Sequence, residues 1–194
     1  IQSYNRSILN AFSSIAEKEN WDLTVLVLND TSDQHFIERT SHQPRIAYHA
    51  FSGSKAKFSR AALKYGYNAN LIYFGHVHFA SLALLIKLLN ASAELMLAVY
   101  GIDVWRRLPL PQRLAVKQMS RILAISEYTK RRMMRENALR ADLFAILPCT
   151  LQPEFTRVVR HTRRELALPE GKMILSVSRL DEMERYKGID KVIC

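Results

Sequence analysis

Cysteine is nearly absent, with Cys149 and Cys194 the two among 194 residues. Two thiols without ligand-like spacing exclude a disulfide framework and a cysteine zinc site, and point to a reduced, cytosolic setting. Glycine and proline are scarce too, six of each, which excludes collagenous and low-complexity chains. The longest apolar run, Ala80 to Leu89, is broken by Ser81 and Lys87 and is too short to span a bilayer. No G-x-G-x-x-G occurs, so a dinucleotide-dependent oxidoreductase is disfavoured.

What is present is an ordinary globular composition, 48% apolar, with an uneven charge. Residues 1–100 carry 9 Lys/Arg against 7 Asp/Glu, and residues 101–194 carry 19 against 11. The cations gather at Arg106, Arg107, Arg113, Lys117 and Arg121, at Lys130, Arg131, Arg132 and Arg135, and at Arg157, Arg160, Arg163 and Arg164. A solvated face, a nucleic-acid footprint, and attraction to an anionic membrane or phosphate-bearing acceptor compete to explain them. Nucleic acid is the weakest, because no aromatic interleaving or helix-turn-helix pattern accompanies the charge.

Hydrophobic periodicity alternates along the chain. Helical spacing at Ile8, Leu9, Phe12, Ile15 and Ala16 predicts a helix over 4–19, and short apolar runs predict strands at 23–28, 46–51, 71–74, 95–100, 121–125 and 143–147. Helices are expected at 58–67, 78–89, 111–120 and 126–137, the last capped by Ser126. Short strands alternating with helices imply βαβ units, and the fold class is α/β, a doubly wound Rossmann-like parallel sheet. Two prolines, the basic run RVVRHTRR and LPEGK then separate a further strand at 173–177. The expected organisation is a first domain over 1–152, a linker over 153–171 and the start of a second domain over 172–194. A helical pattern opening at Gly188 and the helical first residues make the chain read as a fragment of a larger protein.

Ligands of open parallel sheets sit beyond the carboxyl ends of the strands. That rule selects Gly75, His76, Val77 and His78, then Tyr100, Gly101, Ile102, Asp103 and Trp105, then Ser126 and Glu127, then Pro148, Cys149 and Thr150, and finally Ser178 and Arg179. His76 and His78 form an H-x-H pair, but no third metal ligand stands at a suggestive spacing, so cleft-lining or capping histidines are favoured over a metal site. Asp103 reads equally as an acid/base group or as a turn cap. Ser126 lacks the G-x-S-x-G context of a nucleophile and reads as a cap. Arg179 and Lys187 flank a strand-loop-helix turn of the kind that holds a diphosphate, and a functional role is favoured there.

Four blocks in order, VYGIDVW (99–105), ILAISEYTKRRM (122–133), AILPCTLQPEF (145–155) and ILSVSRLDEMERYKGIDKVI (174–193), resemble the group-1 glycosyltransferases, family 4 of the GT-B fold. The resemblance covers nearly the whole chain. It implies a retaining transferase whose N-terminal domain binds the acceptor and whose C-terminal domain binds a nucleotide-sugar, a co-substrate, with no metal or other cofactor. Arg179 and Lys187 map onto the cations that contact the donor diphosphate, with Ser178 beside them. Departure of a nucleoside diphosphate builds negative charge that fixed cations stabilise, while the sugar becomes oxocarbenium-like. With the N-terminal domain as the acceptor side, the strand-end residues His76, Tyr100, Gly101, Asp103 and Ser126 are expected to line the acceptor cleft.

The departures are specific. Tyr100 stands where the family has histidine, Ser178 replaces a glycine, and Cys149 to Gln152 replace the usual Asn-Gly-Val-Asp turn. The family's E-x7-E pair is expected beyond Cys194 and its first strand and glycine loop before Ile1, so the chain alone is expected to be inactive. The expected acceptor is a glycan or lipid-linked molecule in polysaccharide or glycoconjugate synthesis. The expected location is cytoplasmic and peripheral at the inner membrane face, with the basic helix 126–137 as the contact. A non-catalytic GT-B-like binding or scaffold module is the alternative, supported by Tyr100 and Ser178.

Overall fold

A computed structural model of the chain describes residues 2–31, 45–150, 161–173, 188 and 191. The chain divides into two compact units, Ile1–Gln152 and Pro153–Cys194. The first is α/β. Its helices are α1 (Gln2–Glu19), α2 (Lys55–Gly66), α3 (Leu82–Leu89), α4 (Leu110–Val116) and α5 (Glu127–Asn137). Its strands are β1 (Leu23–Val27), β2 (Ile46–Ala50), β3 (Leu71–Phe74), β4 (Glu94–Val99), β5 (Arg121–Ala124) and β6 (Phe144–Ile146).

Every described strand pairing is parallel, β1 with β2 in one sheet and β3-β4-β5-β6 in another. In the larger sheet Leu97 faces Ile122 and Val99 faces Ala124 across the β4–β5 pair. Strands buried on both faces read as continuous apolar runs, and Leu95, Leu97, Ala98, Val99, Ile122, Leu123 and Ala124 are all buried. Each step to the next strand passes through a helix, and right-handed crossovers in one direction put α3, α4 and α5 on one side of this sheet. Val77, Ala83 and Ile86, then Ala115, Val116, Met119 and Met133, fill the layer between.

The expected helix at 78–89 is two pieces. A 3-10 turn, Val77–Phe79, precedes α3. His76 caps that turn through its ring, which accepts from the His78 amide at 3.1 Å, and Ala80 and Ser81 lie between the pieces. The expected strands at 23–28 and 121–125 each end a residue earlier, at Val27 and Ala124.

In the second unit residues 163–167 form turns. Arg163 holds them, donating to the carbonyls of Pro169 at 2.9 Å and Gly171 at 2.7 Å. Near the end the Lys191 amide donates to the Gly188 carbonyl at 3.1 Å. The expected strand at 173–177 lies, apart from Met173, outside the described residues.

The end of α5 carries strain. Ala138 sits in the left-handed region at φ 50°, ψ 55°, while the Leu139 amide reaches back to the Met134 carbonyl at 3.2 Å. Glycine occupies this helix-terminal conformation without a Cβ penalty. Ala138→Gly is therefore expected to raise the unfolding free energy by about 1 kcal/mol. Urea denaturation checks this, and an unchanged or lower midpoint would refute it.

Candidate functional site

The carboxyl ends of β3 and β4 are joined by one side chain from α1. Asn5 donates through Nδ2 to the Gly75 carbonyl at 3.0 Å, and its Oδ1 accepts from Tyr73 at 3.0 Å and from Tyr100 at 2.7 Å. The Tyr100 hydroxyl also lies 2.9 Å from the Gly75 carbonyl, so its one proton is shared between two acceptors. Gly75 permits this close approach, because a Cβ there would meet the Asn5 amide at 3.0 Å. Tyr4, one residue before Asn5, donates to the Leu147 carbonyl at 3.0 Å and meets the Tyr100 ring edge-on at 5.4 Å. Burial raises the pKa of Tyr4, Tyr73 and Tyr100 above the ordinary tyrosine value, so all three phenols stay protonated across the physiological range.

His76 follows Gly75. Its ring lies 4.4 Å from His78 and stacks over Tyr100 at 6.2 Å. Nδ1 accepts from the His78 amide, which puts the proton of the neutral ring on Nε2. Burial, and then the like charge of His78, lower the pKa of His76, while Asp103 acts in the opposite direction. Among the described residues, no three His, Cys, Asp or Glu side chains are grouped to hold a metal ion.

After β4 the chain turns at Gly101, whose carbonyl accepts from the Val104 amide at 2.8 Å. Asp103 closes the turn, Oδ1 accepting from the Gly101 amide at 2.7 Å. Its other oxygen, Oδ2, is buried with no protein partner. Gly101 lies beside the Trp105 indole, which a Cβ would meet in ordinary contact at 3.4 Å. The loop is pinned to α5 from three places. Trp105 Nε1 donates to Thr129 Oγ1 at 3.3 Å, Arg132 Nη2 donates to the Trp105 carbonyl at 3.4 Å, and buried Asn137 accepts from the Leu108 amide at 2.8 Å. Ser126 is the α5 N-cap, accepting from the Thr129 amide at 3.2 Å and donating to Thr129 Oγ1. A hydroxyl so engaged acts as a cap, which is one of the roles its position suggested.

His76, Tyr100, Gly101 and Asp103 thus share one edge of the sheet. Arg179, Lys187 and Ser178 lie outside the described residues. Asn5, Tyr4 and Tyr73 belong to the site and are invisible to the strand-end rule. The available signal was a polar residue between the apolar positions of α1. No protein-family model matches the sequence, and no curated protein matches it.

The sign of the His76 effect is definite. A folded pKa below the ordinary histidine value of about 6.5 means the unfolded chain takes up this proton first. The stability is complete above that pH and is lost as pH falls through the interval down to the folded value. The His76 ring resonance is expected to titrate below about 6.5. Asp103→Asn should lower its midpoint further, and His78→Ala should raise it. An NMR titration checks the three midpoints, and a shift of opposite sign in either variant would contradict the arrangement.

Proposed function

We propose that residues 1–152 are the acceptor-binding half of a retaining glycosyltransferase of the GT-B kind, with residues 172–194 opening its donor-binding half. It moves a sugar from a nucleotide-sugar to a hydroxyl of a glycan or lipid-linked acceptor. The observation that carries this reading is Asp103. One carboxylate oxygen is fixed by the Gly101 amide, and the other is buried without a partner at a strand end. A buried polar atom left open in a folded protein calls for a ligand or ordered water, and a carboxylate accepts well from a sugar hydroxyl. His76, with its proton on Nε2, supplies a donor on the same edge.

The order of the four sequence blocks supports the donor side of the reading. Departure of the nucleoside diphosphate leaves charge that Arg179 and Lys187 would stabilise, so the chain's own contribution would be two cations and a bound acceptor.

One observation favours the binding-module alternative. The Tyr100 hydroxyl is held by Asn5 and the Gly75 carbonyl and its pKa is raised, so it takes no part in proton transfer. A module that had lost the family's histidine would retain sugar recognition at Asp103 without turnover.

In a protein carrying both halves, Arg179→Ala and Lys187→Ala are each expected to lower turnover about 10²-fold or more. Asp103→Asn should weaken acceptor use while leaving donor binding intact. Transfer from labelled nucleotide-sugars to isolated glycans and glycolipids is the assay. Donor binding without transfer in the unaltered protein would establish the module instead, and full turnover in both cation variants would remove the transferase reading.

A further inference from the structure

From Arg45 to Ser126 the chain carries eleven Lys/Arg and two acidic residues, Glu94 and Asp103. Glu94 opens β4, and Asp103 turns one oxygen to the Gly101 amide and buries the other. Helices α2, α3 and α4 therefore hold no carboxylate at all. They lie side by side, α2 against α3 and α3 against α4.

Their outward residues differ from helix to helix. On α2, Lys55, Lys57, Arg60 and Lys64 are exposed. On α3 the exposed residues are Leu85 (48%), Leu88 (82%) and Leu89 (50%), spaced i, i+3, i+4 on the side away from buried Ala83 and Ile86. Lys87 is not among them, because its ammonium is taken by the carbonyls of Ala91 and Ala93. On α4, Leu110 (57%) and Leu114 (46%) face out, with exposed Arg106 and Arg107 before the helix and Lys117 after it. Among the described residues none of these exposed cations is in an ion pair.

We propose that the α2–α3–α4 face docks on an anionic lipid surface. Exposed leucines on α3 and α4, beside cations on α2 and at the two ends of α4 that form no ion pair among the described residues, match the boundary of such a bilayer, where apolar side chains enter the acyl region and cations meet the headgroup charge. A solvated face has no use for five exposed leucines on two adjacent helices. A nucleic-acid surface would place cations or stacking rings at its centre, where this one has leucine. Helix α5, the contact expected from the basic pattern at 126–137, is a poorer fit. Lys130 and Arg135 pair with Glu127 and Glu136, and Arg132 donates to the Trp105 carbonyl. Docking goes beyond sugar transfer and stands or falls independently of it.

The test is flotation of the 194-residue chain with phosphatidylcholine vesicles, either alone or containing about one third phosphatidylglycerol. Binding is expected to the anionic vesicles at low salt and to decline at high salt. Leu85→Gln with Leu88→Gln and Leu89→Gln should lower the bound fraction about tenfold or more. Lys57→Glu with Arg60→Glu should act similarly and rests on exposed positions only, so it keeps the test independent of the leucine variant's folding. Arg131→Glu on α5 should have little effect. The proposal is overturned if the chain ignores anionic vesicles at low salt, or if neither set of substitutions matters. It is likewise overturned if the chain prefers duplex DNA to anionic vesicles with no loss in the leucine variant, or if the leucines govern self-association and not vesicle binding.

Discussion

The carboxyl edge of this unit depends on one amide. Asn5 joins α1 to the ends of β3 and β4, satisfying the Gly75 carbonyl and receiving the hydroxyls of Tyr73 and Tyr100. Removing it would leave several partly buried polar groups with fewer partners, at about 1–3 kcal/mol for each one stranded. Set against a total stability of about 5–15 kcal/mol for a domain, this one residue is a large share. It also dictates sequence elsewhere. A side chain at residue 75 would press on the Asn5 amide, and His76 leaves that point in an extended conformation that lets it cap the next turn.

A second constraint acts from the other side. The loop after β4 is held by Thr129, Arg132 and Asn137, all on α5. Asn137 is the more informative, because it is 2% exposed and its side chain serves the Leu108 amide and the Arg106 and Met133 carbonyls. Asp103 therefore sits in a turn that is fixed from both ends before any ligand arrives. On the proposed reading, such preorganisation would lower the ordering cost of pairing the buried, unpartnered carboxylate oxygen with a hydroxyl.

Much of the α/β class was legible in the sequence. Parallel strands are buried on both faces, so LIYF, LMLAV and ILA stood out as apolar runs, and their parallel pairing followed from the helices between them. Ser126 was legible as a cap because the residue before an amphipathic run has few other tasks. The break before α3 was not legible. The apolar pattern continues through it, and the His76 ring, which accepts from the chain two residues on, opens a 3-10 turn that this pattern does not reveal. The edge that gathers His76, Tyr100, Gly101 and Asp103 followed from the strand-end rule. Which of those groups is free did not. Tyr100 and Ser126 have their hydroxyls engaged while Asp103 keeps a buried oxygen without a protein partner, and that distinction comes from residues as distant as Asn5, 95 positions from Tyr100. Sequence patterns record burial well and long-range polar partnership poorly.

The central claim is that this edge, around His76 and Asp103, takes a sugar hydroxyl. The most direct measurement is an amide NMR spectrum of the labelled chain titrated with a panel of oligosaccharides and glycolipid headgroups. The account predicts saturable shifts at Gly75 to His78 and at Gly101 to Val104, weakened by Asp103→Asn. Shifts confined to other parts of the chain, or equal binding by Asp103→Asn, would contradict it.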